Sequence, residues 1–165
     1  MIVIRKRRCD LTMKSIIINT NGNITTEDLT DLKDYKKAVD GCIEGIGFPN
    51  FDSCGYVNEN GKIENLPFNI LATVIYLMGN SDDIEIVKEI YKNKVLNQAK
   101  IFDFIVGNMI ICGSLRDDGE CNDVSEKVVK LVNSVQQYLL KGKNFEVIEA
   151  IWHDLKSNSS FLKGI

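Results

Sequence analysis

The sequence predicts an α+β fold: a small antiparallel sheet early in the chain, helices packed on it, and a helical C-terminal portion. Three observations carry this. Runs rich in β-branched residues, separated by Gly, Pro and Asn clusters, lie between Met13 and Glu64. Apolar residues at helical spacing follow Asn69. Two long amphipathic stretches, from Val124 to Leu139 and from Phe145 to Leu155, then close the chain.

Lys14–Thr20 is a predicted strand through Ile16, Ile17 and Ile18, and Asn19–Asn23 turns around Gly22. Thr25 or Thr26 is the expected cap of a first helix, in which Leu29, Leu32, Tyr35, Ala38 and Val39 recur at helical spacing up to Gly41. Cys42–Phe48 and Gly55–Asn58 are predicted strands, broken by Pro49-Asn50. Asn60-Gly61 is a turn pair of the kind that takes positive φ, with Lys62–Glu64 as the returning strand. Pro67 forbids a central strand.

Asn69 is the expected N-cap of the next helix. Ile70, Leu71, Val74, Ile75 and Leu77 form its apolar side, and Gly79-Asn80 ends it. Ser81 is expected to cap a further helix, with Asp82, Asp83 and Glu85 in its first turn. Ile101–Ile111 reads as two strands joined at Gly107-Asn108, or as one strand with a bulge. Ser114–Asn122 is a polar loop, and Ser157–Ser160 a loose tail. Residues 1–12 read as an extension, 13–142 as the α+β domain, and 143–165 as a C-terminal helix and tail.

With 165 residues, 44% apolar and 26% charged, the chain is long enough to bury a core. A net charge of -3 gives no reason to expect a nucleic-acid partner, and nothing in the chain reads as a membrane span. Arg5–Arg8 form a basic cluster, read either as part of a loosely packed extension or as an arm for nucleic acid. The five cysteines include no C-x-x-C pair, and His153 is the only histidine. Free, mostly buried thiols in a reducing cytoplasm are the expectation, with no metal and no cofactor. No phosphate-binding glycine loop and no nucleophile elbow appears. Asp117, Asp118 and Glu120 lack the full calcium-loop pattern, and His153 reads as a rim residue.

The polar residues between the apolar runs each have two readings. Glu44 faces solvent, or lines a pocket and accepts from a base edge or ribose hydroxyl. Asn58, Asn60 and Asn69 serve turns and caps, or touch a ligand. Asp103, inside an apolar run, reads as an acid needing hydrogen bonds to offset its burial.

At these residues the chain resembles a family of short uncharacterised proteins borne by phages, prophages and plasmids. The matching positions are Gly41, Ile43 and Glu44; then Asn58, Glu59, Gly61, Lys62, Leu66, Pro67, Asn69, Ala72 and Thr73; then Asp103, Ile105, Val106, Gly107 and Asn108. Asp40 and Cys42 depart from the first block, where the family has a glycine and an aromatic residue. The resemblance spans Met13 to Gly113 and implies no reaction. It implies a protein of the host bacterial cytoplasm that acts by stoichiometric binding. The leading expectation is a non-enzymatic counter-defence sponge for a small nucleotide-derived immune signal, acting as a homo-oligomer. Its expected ligand-binding residues are Glu44, Tyr56, Asn58, Lys62, Asn69, Thr73, Asp103 and Asn108, with phosphate near Lys62 and the helix start at Asn69. The alternative is an accessory module that binds a host protein or nucleic acid.

Overall fold

The computed structural model describes residues 12–93 and 103–159. Its sheet contains β1 (Met13–Ile18), β2 (Ile24–Leu29), β3 (Ile43–Phe48), β4 (Ser53–Asn58) and β5 (Met109–Ile111). The order across the sheet is β2-β1-β5-β4-β3, and every neighbouring pair is antiparallel. The helices are α1 (Leu32–Val39), α2 (Ile70–Asn80), α3 (Glu85–Asn93), α4 (Glu126–Lys141) and α5 (Phe145–Asn158). The fold is therefore α+β, with α4 and α5 as its helical C-terminal portion.

The centre of the sheet is buried on both faces, which explains the unbroken apolar runs of β1 and β5. Ile16, Ile18, Met109, Ile111 and Val57 face one core with the buried sides of α2, α4 and α5. Ile17, Ile110 and Cys112 face a smaller core closed by Tyr35 and Val39 of α1. β3 and β2 are the two edges.

Helix α2 runs through the larger core, and an asparagine anchors each end. Asn69 is 1% exposed. Its Oδ1 accepts from Ala72 N–H as the N-cap, and its Nδ2 donates to Ile18 O at 3.1 Å and Gly107 O at 2.9 Å. At the other end Asn50 Nδ2 donates to Met78 O and Ser81 O. Trp152 Nε1 of α5 also donates to Met78 O at 2.8 Å, so α5 joins the same core. Gly79 lets α2 approach β3 closely: a Cβ there would lie 2.7 Å from the Phe48 ring.

Several expected elements differ. Thr25 and Thr26 do not cap a helix; they belong to β2, paired with Ile17 and Ile16 across the Asn19–Asn23 turn. The helix starts later, where Asp31 and Asp34 form a capping box. β-branched residues beside a ready strand partner outweighed a local cap signal. Lys62–Glu64 is not a returning strand. Glu64 N–H bonds to Asn60 O and Leu66 N–H to Gly61 O, so the segment coils on itself; the positive φ falls at Asn65 (52°), not at Asn60-Gly61. Ser81 is the C-cap of α2 rather than an N-cap, and α3 begins at Glu85.

Of the run Ile101–Ile111, only Met109–Ile111 is a strand among the described residues, while Val106 makes an isolated bridge to Phe68. Gly107, at φ 71°, turns the chain between them; Ile101 and Phe102 lie outside the described residues. The Ser157–Ser160 tail is ordered as far as it is described. α5 continues through Asn158, and Ser159 is buried, its hydroxyl donating to Pro49 O. The thiols are not all free, since Cys54 and Cys121 are bonded to one another, while Cys42 is exposed and Cys112 buried. Backbone hydrogen bonds bring these sulfurs together across 67 residues of sequence: Cys54 pairs with Cys112 and Gly113, and Gly113 N–H donates to Asn122 O. Cys9 and Arg5–Arg8 lie outside the described residues. No helix among the described residues is long and apolar enough to cross a membrane.

The Asn69→Ala variant removes a helix cap, worth about 1 kcal/mol, and leaves two buried carbonyls short of a donor, at about 1–3 kcal/mol each. Urea denaturation followed by circular dichroism should show a loss of at least about 2 kcal/mol. Asp31→Ala, on an exposed helix start, should cost about 1 kcal/mol.

Candidate functional site

A groove of about 550 Å³ runs between the edge strand β3, the Asp103–Val106 segment and the outer face of α2. It gathers Glu44, Asn58, Lys62 and Asp103 of the expected ligand-binding residues. Glu44 comes from β3, where strand alternation turns it to the α2 side together with Ile46 and Phe48. Lys62 comes from the coiled loop after β4. Asp103 comes from the wall opposite.

The two readings of each residue can now be separated by its partners. Glu44 is exposed, and no side-chain partner for it occurs among the described residues. Lys62 Nζ pairs with Asp103 and lies 4.7 Å from the centre of the Phe104 ring. Asp103 is not the buried acid expected from its neighbours, because its side chain is 48% exposed. Its Oδ1 also accepts from Phe104 N–H at 2.9 Å. The pair is exposed on both sides, so it adds little stability but presents a charged spot on the rim.

Asn58 lies at the groove, yet its amide serves the backbone. Nδ2 donates to Val39 O and Asp40 O, and Oδ1 accepts from Asn60 N–H. Asn69 and Thr73 lie beneath the wall, not on it. Thr73 is fully buried; its hydroxyl donates to Asn69 O and accepts from Ile105 N–H at 2.9 Å. The start of α2 is thereby closed. Of its first-turn N–H groups, that of Ala72 is taken by Asn69 Oδ1 and that of Thr73 by Asn69 O. Asn108 is used by the fold too, accepting from Thr20 N–H and donating to Ala38 O on the α1 side.

Tyr56 lies on the opposite face of the sheet. Its ring packs edge-on against Tyr35 at 5.2 Å, beside a hollow of about 450 Å³ also lined by Met13, Leu32 and Ile43. Burial raises the Tyr35 and Tyr56 phenols above their ordinary value of 10.0, and raises the Cys112 thiol as well. Tyr56 and the groove residues therefore cannot meet one ligand within one chain.

Sequence reading missed four polar or aromatic groove residues: Glu59, Tyr76, Asn80 and Phe104. Tyr76 and Asn80 are four apart, a helical spacing that puts them on one face, and Asn80 Nδ2 reaches from there to Gly47 O of β3 at 2.9 Å. Phe104 was hidden in an apolar run that looked like core; its ring is 43% exposed. The groove thus offers an open ring, a carboxylate, an amide and an ion pair. Its charged lining is acidic, with Glu44, Glu59 and Asp103 set against Lys62.

A family model described as a domain of unknown function (DUF3846) matches residues 13–139, and the chain belongs to that family. The match begins at Met13 and ends within α4, so α5 lies beyond it. Comparison with curated proteins and with solved structures found no match.

Folded-state burial holds the Tyr35 phenol protonated at a pH where the unfolded chain has begun to lose its proton. The stabilisation is present below pH 10.0, the ordinary value, and is lost as pH rises above it. Unfolding free energy measured from pH 8 to about pH 11 should fall with pH in the parent, and less steeply in Tyr35→Phe.

Proposed function

As a member of the DUF3846 family the chain inherits no assigned reaction, and we propose that it acts by stoichiometric binding, without turnover, at the groove beside β3. One observation supports this most. Residues from three separated parts of the chain converge on a single groove while keeping exposed surface: Glu44 without a side-chain partner among the described residues, the Lys62–Asp103 pair, and Phe104. Pockets of this kind, apolar with a few placed polar groups, are where small molecules bind.

The ligand this reading assigns is a small nucleotide-derived signal. The Phe104 ring offers a stacking surface for a base, Glu44 accepts from an amino or hydroxyl edge, and the Lys62 ammonium would exchange its Asp103 partner for a phosphate. The acidic balance of the lining favours a ligand with few phosphates over a polyanion. On this proposal the protein is a counter-defence sponge carried by a mobile element, working in the host cytoplasm as a homo-oligomer. A second reading, the docking of a partner protein, is favoured by one specific feature: β3 is an exposed sheet edge beside the same groove.

The test is direct. The protein is incubated in lysate of cells with active nucleotide-signalling defence, reisolated, heated, and the released filtrate analysed by mass spectrometry. The expected result is one small nucleotide at a constant ratio to protein, which also raises the melting temperature when added back. Glu44→Ala should weaken that ligand tenfold or more, since a hydrogen bond to a charged group is worth about 1.5–3 kcal/mol. Empty filtrates across several signal chemistries would contradict the small-ligand reading.

A further inference from the structure

We infer that β3 is a docking edge for an extended, lysine- or arginine-bearing segment of a partner protein, which adds to the sheet as a further strand. The inference rests on the partner-binding reading of the groove and names the partner's chemistry. It starts from the backbone. Cys42 O accepts from Glu59 N–H, which makes these two a hydrogen-bonded antiparallel pair. Alternation along the register then points the N–H and C=O groups of Glu44, Ile46 and Phe48 at β4, and those of Ile43, Gly45 and Gly47 outward. Gly47 O is covered by Asn80 Nδ2. No partner for the outward groups of Ile43 and Gly45 occurs among the described residues.

Sheet edges are usually blunted by lysine, proline or a bulge. β3 has none of these. Its register with β4 is continuous from Ile43 to Phe48, and its sequence is IEGIGF. A Cβ at Gly47 would meet nothing within 4 Å, and one at Gly45 only the edge of Tyr56 at 3.9 Å, so the packing does not demand glycine at either place. What glycine does there is leave the backbone open to an incoming strand. Strand addition of this type draws affinity from main-chain hydrogen bonds and specificity from a neighbouring pocket.

The pocket sets the charge of the occupant. Glu44 and Glu59 line the groove without a side-chain partner among the described residues, while the Lys62 ammonium is taken up by Asp103. An incoming lysine or arginine would meet the Glu44 carboxylate, which attracts cations, with the exposed side of Phe104 beside it for the side-chain stem. A second copy of this chain is the wrong occupant. β3 itself, IEGIGF, carries no lysine or arginine to meet the Glu44 of another copy.

The experiment follows the amide protons of Ile43 and Gly45 by hydrogen exchange in NMR. The probe is an eight-residue peptide alternating lysine and valine, with glutamate-valine and proline-interrupted counterparts. The expected result is exchange slowed at least tenfold at both amides by the lysine peptide alone. Glu44→Lys, at an exposed side chain, should reverse the preference between the lysine and glutamate peptides. Gly45→Pro removes an outward N–H without touching the β4 ladder and should abolish protection at Ile43. Unchanged exchange at millimolar lysine peptide, equal slowing by both charged peptides, or slowing at β2 instead would overturn the proposal. The exchange readout is independent of the filtrate experiment. Slowed exchange with an empty filtrate leaves the docking edge standing, and a bound nucleotide with unchanged exchange removes it.

Discussion

The buried side-chain amide of Asn69 joins three parts of the fold that are far apart in the chain. One end of it starts α2 by capping Ala72; the other binds the last carbonyl of β1 and the carbonyl of Gly107. Its own backbone N–H donates to Ile105 O, and Thr73, one turn on, takes Ile105 N–H. Every hydrogen-bonding atom of that side chain is used inside the core, where an unpaired group is costly. The Asp103–Val106 wall is therefore held from beneath by a helix start, and its position relative to β3 is fixed by the same contacts. The groove exists because this junction exists.

A division of labour follows between two sets of polar residues. Asn58, Asn69, Thr73 and Asn108 spend their hydrogen bonds on backbone and build the frame. Glu44, Lys62, Asp103 and Phe104 stand on that frame and keep surface exposed, and Asn80 does both, exposed while its amide donates to Gly47 O and Tyr76 O. The same short stretches of sequence supply both sets, so a polar motif alone does not separate frame from site. Partners and exposure do. The cross-strand alternation that turns Glu44 into the groove also turns Tyr56 away from it.

Much of this was legible in the sequence, for physical reasons that differ by element. The isoleucine run of β1, the cap at Asn69 and the long amphipathic α4 and α5 each carry a strong local signal, and each forms as read. β2 was not legible, because Thr25 and Thr26 can cap or pair and only a partner strand decides. Lys62–Glu64 misled for a similar reason, since a turn pair suggests a hairpin but the chain closed its hydrogen bonds locally. The Cys54–Cys121 bond depends on two segments meeting in space, and spacing in sequence holds no trace of that. In the candidate site, Glu44 and Asp103 were found as acids within apolar runs, and Lys62 through the family resemblance. Tyr76, Asn80 and Phe104 were missed because each suits a core or a helix as well as a rim.

The central claim is that the Asn69 junction makes the groove wall part of the core and not a loop laid over it. Native-state hydrogen exchange measures this directly, amide by amide. The account predicts that the Ile105 and Gly107 amides exchange only with global unfolding, at the same free energy as Ala72 and the β1 strand. If Ile105 and Gly107 instead exchange through a local opening several kcal/mol easier than Ala72, the wall opens independently of the helix start, and the junction does not set the groove.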